Sequence, residues 1–207
     1  MLRLEGEDAQ FLRTGYDIID EMSTKRIIFG AGIEVIMPKE RLRSGTKLYM
    51  AGPLGFSEST RPFHEKVIQI VQRMEGGALD PWTLAPIEKI KTIQELSLNE
   101  KAIAAWEQLN HEIGENNLMA LKEATGVVAN LDGQDVDSGT AAEIGAAFVL
   151  GIPILGYRGD FRMARDNWGG NVNLQVEYFI KQSAGGKGEI ITAISQLPQA
   201  LLRIWGR

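Results

Sequence analysis

The chain has 207 residues, 44% hydrophobic and 24% charged, the composition of one globular domain with room for an appendage. It contains no cysteine, which excludes disulfide frameworks and thiolate zinc sites, and a core of this size needs neither. A net charge of -5 with no basic stripe excludes the usual nucleic-acid binder. The charged Met1–Glu7 stretch lacks the apolar segment of an export signal, and no run approaches the roughly 18 apolar residues of a membrane span. The expectation is a cytoplasmic protein with no membrane or nucleic-acid partner. His64 and His111 have no ligand-spaced acidic or histidine partner, so no metal site and no cofactor is expected.

Residues 1–45 read as an N-terminal appendage of unread function, packed on the main domain or on a partner subunit. Within it Asp17–Met22 looks helical, Gly30 and Gly32 break the chain, and Ile33–Met37 looks like a strand stopped by Pro38. The main domain, 46–207, opens with an apolar strand from Lys47 that Gly52-Pro53 ends. Phe63, Val67, Ile70, Val71 and Met74 then recur at helical spacing over 61–75. Trp82–Pro86 is a second candidate strand. A long helix runs from about Asn99 to Glu123, with Gly114 as its expected interruption. The β-branched run Gly126–Leu131 reads as a buried strand, Thr140–Leu150 as a helix and Gly151–Tyr157 as another strand. Arg158, Arg162 and Arg165, interrupted by Asp160 and Asp166, read as a mixed-charge loop. Helices over about 171–182 and 188–204, joined by a Gly-rich turn at 183–188, close the chain. Strands alternating with helices imply a parallel α/β sheet flanked by helices, whose ligands sit beyond the carboxyl ends of the strands.

Two loops meet at that edge, one after Tyr49-Met50-Ala51 and one after Val128–Leu131. The second carries Asp132, Asp135 and Asp137, like charges whose proximity is unfavourable unless a ligand or solvent uses them. A solvated turn with Asp137 or Ser138 as helix N-cap would explain the same residues. Glu143 is the one ionisable residue of the apolar helix that follows. Near the helix start, the dipole favours its carboxylate form, suited to attack on an anomeric carbon. From spacing alone, that reading and a plain helix-end charge stand level. Gly52 permits close approach of a ligand to the backbone, and Tyr49 is placed either in the core or beside Glu143. Asn171 and Asn173 stand at a helix start, where either serves as a cap.

Together these residues resemble the nucleoside 2-deoxyribosyltransferase family. The resemblance rests on Leu48–Pro53, Glu115–Leu118, Asp132–Gly145 and Asn173-Leu174, in family order over 47 to about 180. Its most specific element is Asp-x-Gly-x-x-x-Glu-x-Gly, here Asp137, Gly139, Glu143 and Gly145. The resemblance implies a flavodoxin-like fold and a double displacement in which Glu143 attacks C1′ of a 2′-deoxynucleoside and a free nucleobase accepts the sugar. It implies that Tyr49 positions Glu143 and that Asp137 binds the 5′-hydroxyl. Asn173 would reach that hydroxyl from a neighbouring subunit of a homo-oligomer, and Phe56 would form an aromatic wall. Asn117 stands where several members have a base-contacting aspartate, and an amide delivers no proton, so Asp132 becomes a candidate substitute. Gln175 replaces a frequent methionine. The alternatives are a 2′-deoxynucleoside 5′-phosphate N-glycosidase and a non-catalytic nucleotide-sensing module. A carboxylate at Asp137 suits an uncharged 5′-hydroxyl better than a phosphate.

Overall fold

The computed structural model describes residues 18–21, 24–29, 33–162, 166 and 168–207. Strands β1 (Ile18–Glu21), β2 (Thr24–Phe29) and β3 (Ile33–Met37) form an antiparallel sheet in that order. The helix expected at 17–22 is therefore a strand over its described residues. Four residues make too little helix to repay nucleation, whereas pairing Ile18 with Ile27 and Ile19 with Arg26 satisfies the backbone at once. Ile27 and Val35 stand opposite each other and are both buried, while Arg26 and Glu34 pair at 3.2 Å on the other face. The alternation fixes which face meets the core.

After β4 (Lys47–Ala51) come α1 (Arg61–Arg73) and β5 (Gly77–Leu79), then α2 (Pro81–Leu84), α3 (Ile87–Gln94) and α4 (Glu100–Glu123). The strand expected at 82–86 is the short helix α2 and its exit. Asp80 caps its N-terminus and Pro81 occupies its first turn, which favours a helical start over an extended chain. Helix α4 runs 24 residues straight through Gly114. One glycine costs about 1 kcal/mol relative to alanine, too little to break so long a helix.

The chain continues through β6 (Gly126–Asn130), α5 (Ser138–Val149), β7 (Ile154–Tyr157), α6 (Leu174–Gly186), β8 (Glu189–Ile191) and α7 (Leu197–Trp205). The helix expected at 188–204 is thus a strand, a 3-10 turn at Ile194–Gln196 and a shorter helix opened by Leu197-Pro198. The Gly-rich turn at 183–188 joins helix to strand, not helix to helix. Ala184 and Gly185 take left-handed φ values of 48° and 74° there and turn the chain into β8.

The main sheet is parallel throughout, in the order β5-β4-β6-β7-β8, the flavodoxin-like arrangement. Leu48, Met50, Val128 and Leu155 face one layer with Ile70, Val71 and Ile204 of α1 and α7. Tyr49, Ala51, Val127 and Ala129 face the other, with Ile144, Ala147 and Ile180 of α5 and α6. Ile27, Val35 and Met37 of the small sheet join the first layer. The linker is tied down by Leu42 N–H to the Met74 carbonyl at 3.0 Å and Arg43 N–H to the Trp205 carbonyl at 2.9 Å. No helix among the described residues is long and apolar enough to cross a membrane.

Candidate active site

In this strand order the chain reverses direction across the sheet between β4 and β6, and a crevice opens at their carboxyl ends. Gly52 follows β4 at φ 150°, and a Cβ there would stand 3.0 Å from Cβ of Asn130 at the end of β6. Only glycine lets the two loops start so close together.

Tyr49 is fully buried, and its hydroxyl donates to Glu143 Oε1 at 2.6 Å, linking β4 to the second turn of α5. Glu143 Oε2 has no hydrogen-bond partner among the described residues. Burial pushes the Tyr49 pKa far up, reinforced by the hydrogen bond and charge of Glu143 and by the charge of Asp80. Tyr49 is therefore a fixed donor and not a base. The Glu143 carboxyl is held above its ordinary pKa because burial outweighs the Tyr49 hydrogen bond, and the Asp137 charge adds to the rise. The helix-start dipole was expected to favour the charged form; desolvation dominates instead. A carboxylate short of solvent, with one oxygen held and the other open, is equipped to act as a nucleophile.

Asp137 is the N-cap of α5. Its Oδ2 accepts from Thr140 N–H at 3.0 Å and Thr140 Oγ1–H at 3.1 Å, leaving Oδ1 without a partner among the described residues. The capping role and a ligand-binding role are thus compatible, one for each oxygen. Asp132 is differently engaged. Its Oδ1 accepts from Gly159 N–H at 2.7 Å and Asp160 N–H at 2.8 Å, and its Oδ2 from Asn130 Nδ2 at 3.3 Å. Oδ1 thus ties the loop after β6 to the loop after β7, while Oδ2 holds the side chain to the end of β6.

Arg158 completes that tie. It is buried, and donates through Nη1 to the Leu131 and Gly133 carbonyls and through Nη2 to the Arg162 carbonyl at 3.0 Å. The mixed-charge loop is therefore solvated only in part: Arg162 is exposed and chelates Asp160, while Arg158 is interior. Arg165 lies outside the described residues.

Asn173 is the N-cap of α6, its Oδ1 accepting from Gln175 N–H at 3.0 Å and Val176 N–H at 3.3 Å. Asn171 is not the cap; its N–H donates to Glu177 Oε2 at 2.6 Å. Gln175 is exposed and Asn117 is half-buried on α4. Phe56 is 74% exposed and meets the Trp82 ring edge-on, with centroids 4.1 Å apart.

His64 has no ligand-spaced acidic partner in the sequence, and the fold supplies one from a distance: its Nε2 lies 3.0 Å from Asp80 Oδ1 with both residues buried. The two come from different elements, α1 and the end of β5, so no local spacing marks them. Asp80 and Trp82 were absent from the sequence-based site for the same reason, since β5 is too short to show a period. The Asp80-Pro81 pair before Trp82 was the available signal, lying just ahead of the strand expected at 82–86.

A part-buried carboxylate held by a buried phenol thus stands at the switch point of a parallel α/β sheet, where folds of this class place small-molecule sites. A sequence model described as Nucleoside 2-deoxyribosyltransferase matches residues 48–184. That span is most of the chain, which belongs to this family. No curated protein matches it. Among solved structures, a conserved protein from Enterococcus faecalis V583 is 24% identical with a TM-score of 0.53, covering 75% of this chain and 96% of its own. A 2-deoxyribosyltransferase from Bacillus psychrosaccharolyticus is 22% identical with a TM-score of 0.46, covering 65% and 82%. A 2-desoxiribosyltransferase from Leishmania mexicana is 20% identical with a TM-score of 0.44, covering 63% and 85%.

Proposed function

We propose that this chain transfers 2-deoxyribose between nucleobases by double displacement through a covalent deoxyribosyl ester on Glu143. The observation that carries the reading is the 2.6 Å bond from Tyr49 to one oxygen of Glu143, with the other oxygen open. Glu143 Oε2 attacks C1′ as the C1′–N bond breaks. The electron pair leaves with the base, which takes up one proton. The nitrogen of a second base then attacks C1′, gives up one proton, and returns Glu143 as a carboxylate. The cycle is neutral in protons and needs no cofactor.

In this reading Asp137 Oδ1 accepts from the 5′-hydroxyl of the sugar. A 5′-phosphate would face the Asp137 carboxylate, which disfavours the monophosphate hydrolase. The Asn173 oxygen is spent on its own helix, so its Nδ2 is the group that reaches a sugar hydroxyl, across an interface in a homo-oligomer. Gly52 and Phe56 border the base side, with Asn117 and Gln175 at the margins. Asp132 supports the loops from behind and is not the proton donor to the base.

The test is to incubate the protein with deoxyinosine and free adenine and separate the products. Deoxyadenosine is expected. Hypoxanthine alone would overturn the transfer reading in favour of hydrolysis, and no turnover of nucleosides would overturn both.

A further inference from the structure

Trp82 Nε1 is buried with no hydrogen-bond partner among the described residues. An unmet buried donor is destabilising, a cost that a purely apolar ring at this position would not carry. The indole lies against Gly55, where a Cβ would come within 2.2 Å of Nε1, so only the missing side chain admits the ring. Phe56 covers it at an interplanar angle of 80° while staying largely exposed itself.

The backbone beneath the indole is fixed with unusual care for a short turn. Trp82 N–H donates to Asp80 Oδ1 at 3.1 Å, and His64 Nε2 stands 3.0 Å from the same oxygen. A buried polar pair adds little to stability, but it imposes one geometry on what it holds. The turn also packs against β4 and α4, which carry Tyr49 and Asn117. The turn therefore stands near Tyr49, whose hydroxyl feels the charge of Asp80.

Taking the chemistry of Glu143 as proposed above, we infer that Trp82 is the base-recognition residue of this site. Its indole N–H donates to an unprotonated ring nitrogen or carbonyl oxygen of the nucleobase, held in register by Asp80 and His64. Gly55 and Phe56 cover the indole and withdraw from it as the base edge arrives, pivoting at Gly52. Phe56 then closes on the face of the base. This gives the cluster a reason to keep an indole despite its unmet donor. It also supplies a base contact that Asn117 alone does not.

The experiment compares wild type with Trp82→Phe and Trp82→Ala by equilibrium dialysis against free adenine, alongside thermal unfolding. Trp82→Phe should bind adenine roughly tenfold more weakly, while its Tm falls only by what the smaller ring leaves unfilled, partly offset by removal of the unmet donor. Trp82→Ala should lose more affinity and more stability. Wild-type affinity in Trp82→Phe, or no adenine binding by the wild type, would each overturn the assignment. Exchange activity measured in parallel reports on Glu143 separately. A protein that binds adenine through Trp82 but exchanges nothing refutes the transferase reading and leaves this one standing.

Discussion

Glu143 and Tyr49 are joined by one hydrogen bond, from the third residue of β4 to one oxygen of a part-buried acid. Burial raises the Glu143 pKa and the Tyr49 hydrogen bond lowers it, so the two act against each other. The nucleophile is charged only above its raised pKa, and the acid limb of kcat/KM should lie at higher pH than an ordinary glutamate would give. Tyr49→Phe removes the lowering contribution, so its acid limb should move further up. Its rate at neutral pH should fall roughly tenfold to hundredfold, the value of one hydrogen bond to a charged group. A pH profile of base exchange checks both. A limb that stays in place would mean that Tyr49 does not hold the carboxylate. The identity of these two residues was legible in the sequence, but the balance of forces on Glu143 was not. Desolvation depends on what packs over the helix, and that is set by residues far away in the chain.

At the scale of elements, the candidate site is a set of loops hung from strand ends and locked to one another. Asp132 takes two hydrogen bonds from the loop after β7 and one from Asn130 at the end of β6, and Arg158 crosses the same gap with its guanidinium on carbonyls. Asp132→Ala should therefore cost about 2–3 kcal/mol, a few hydrogen bonds to a charged acceptor, seen as a lower Tm. Exchange should weaken too, because the loop leading to Asp137 loses its anchor; an unchanged Tm would refute the clamp. Strands with a run of β-branched residues, such as β6, and helices with strong periodicity, such as α1, were legible in advance. The three-residue strands β5 and β8 were not, since so short a segment has no period and is defined only by its neighbours. Asp17–Met22 failed for the same reason, its state being decided by β2. The pairing of His64 with Asp80 is purely tertiary, and with it went the role of Trp82.

For the whole molecule, the outer face of α5 and α6 carries apolar side chains in the open. Val149 is 83% exposed, Leu174 and Tyr178 55% each, and Leu150 44%. Exposed apolar side chains of this kind are what a second copy would cover in the proposed homo-oligomer, and Asn173 stands at the head of α6. If the sugar site is completed by Asn173 of a second copy, the assembly is a condition of activity. The paired change Val149→Glu and Tyr178→Glu should then give a smaller species by light scattering and a loss of exchange of tenfold or more at low protein concentration. A dissociated protein with full activity would show that each chain holds a complete site. The small antiparallel sheet at the N-terminus joins the layer opposite this face, with β3 against the 3-10 turn at Ile194–Gln196, so it leaves the proposed contact clear.

The measurement closest to the central claim is direct detection of the covalent intermediate. The protein is mixed with deoxyinosine, quenched in acid within the first turnover, digested, and its peptides weighed. The account predicts a deoxyribosyl adduct on the peptide bearing Glu143, discharged by adenine to deoxyadenosine, and neither adduct nor exchange in Glu143→Ala. An adduct on another residue, or a Glu143→Ala protein that still makes deoxyadenosine at near the wild-type rate, would contradict it.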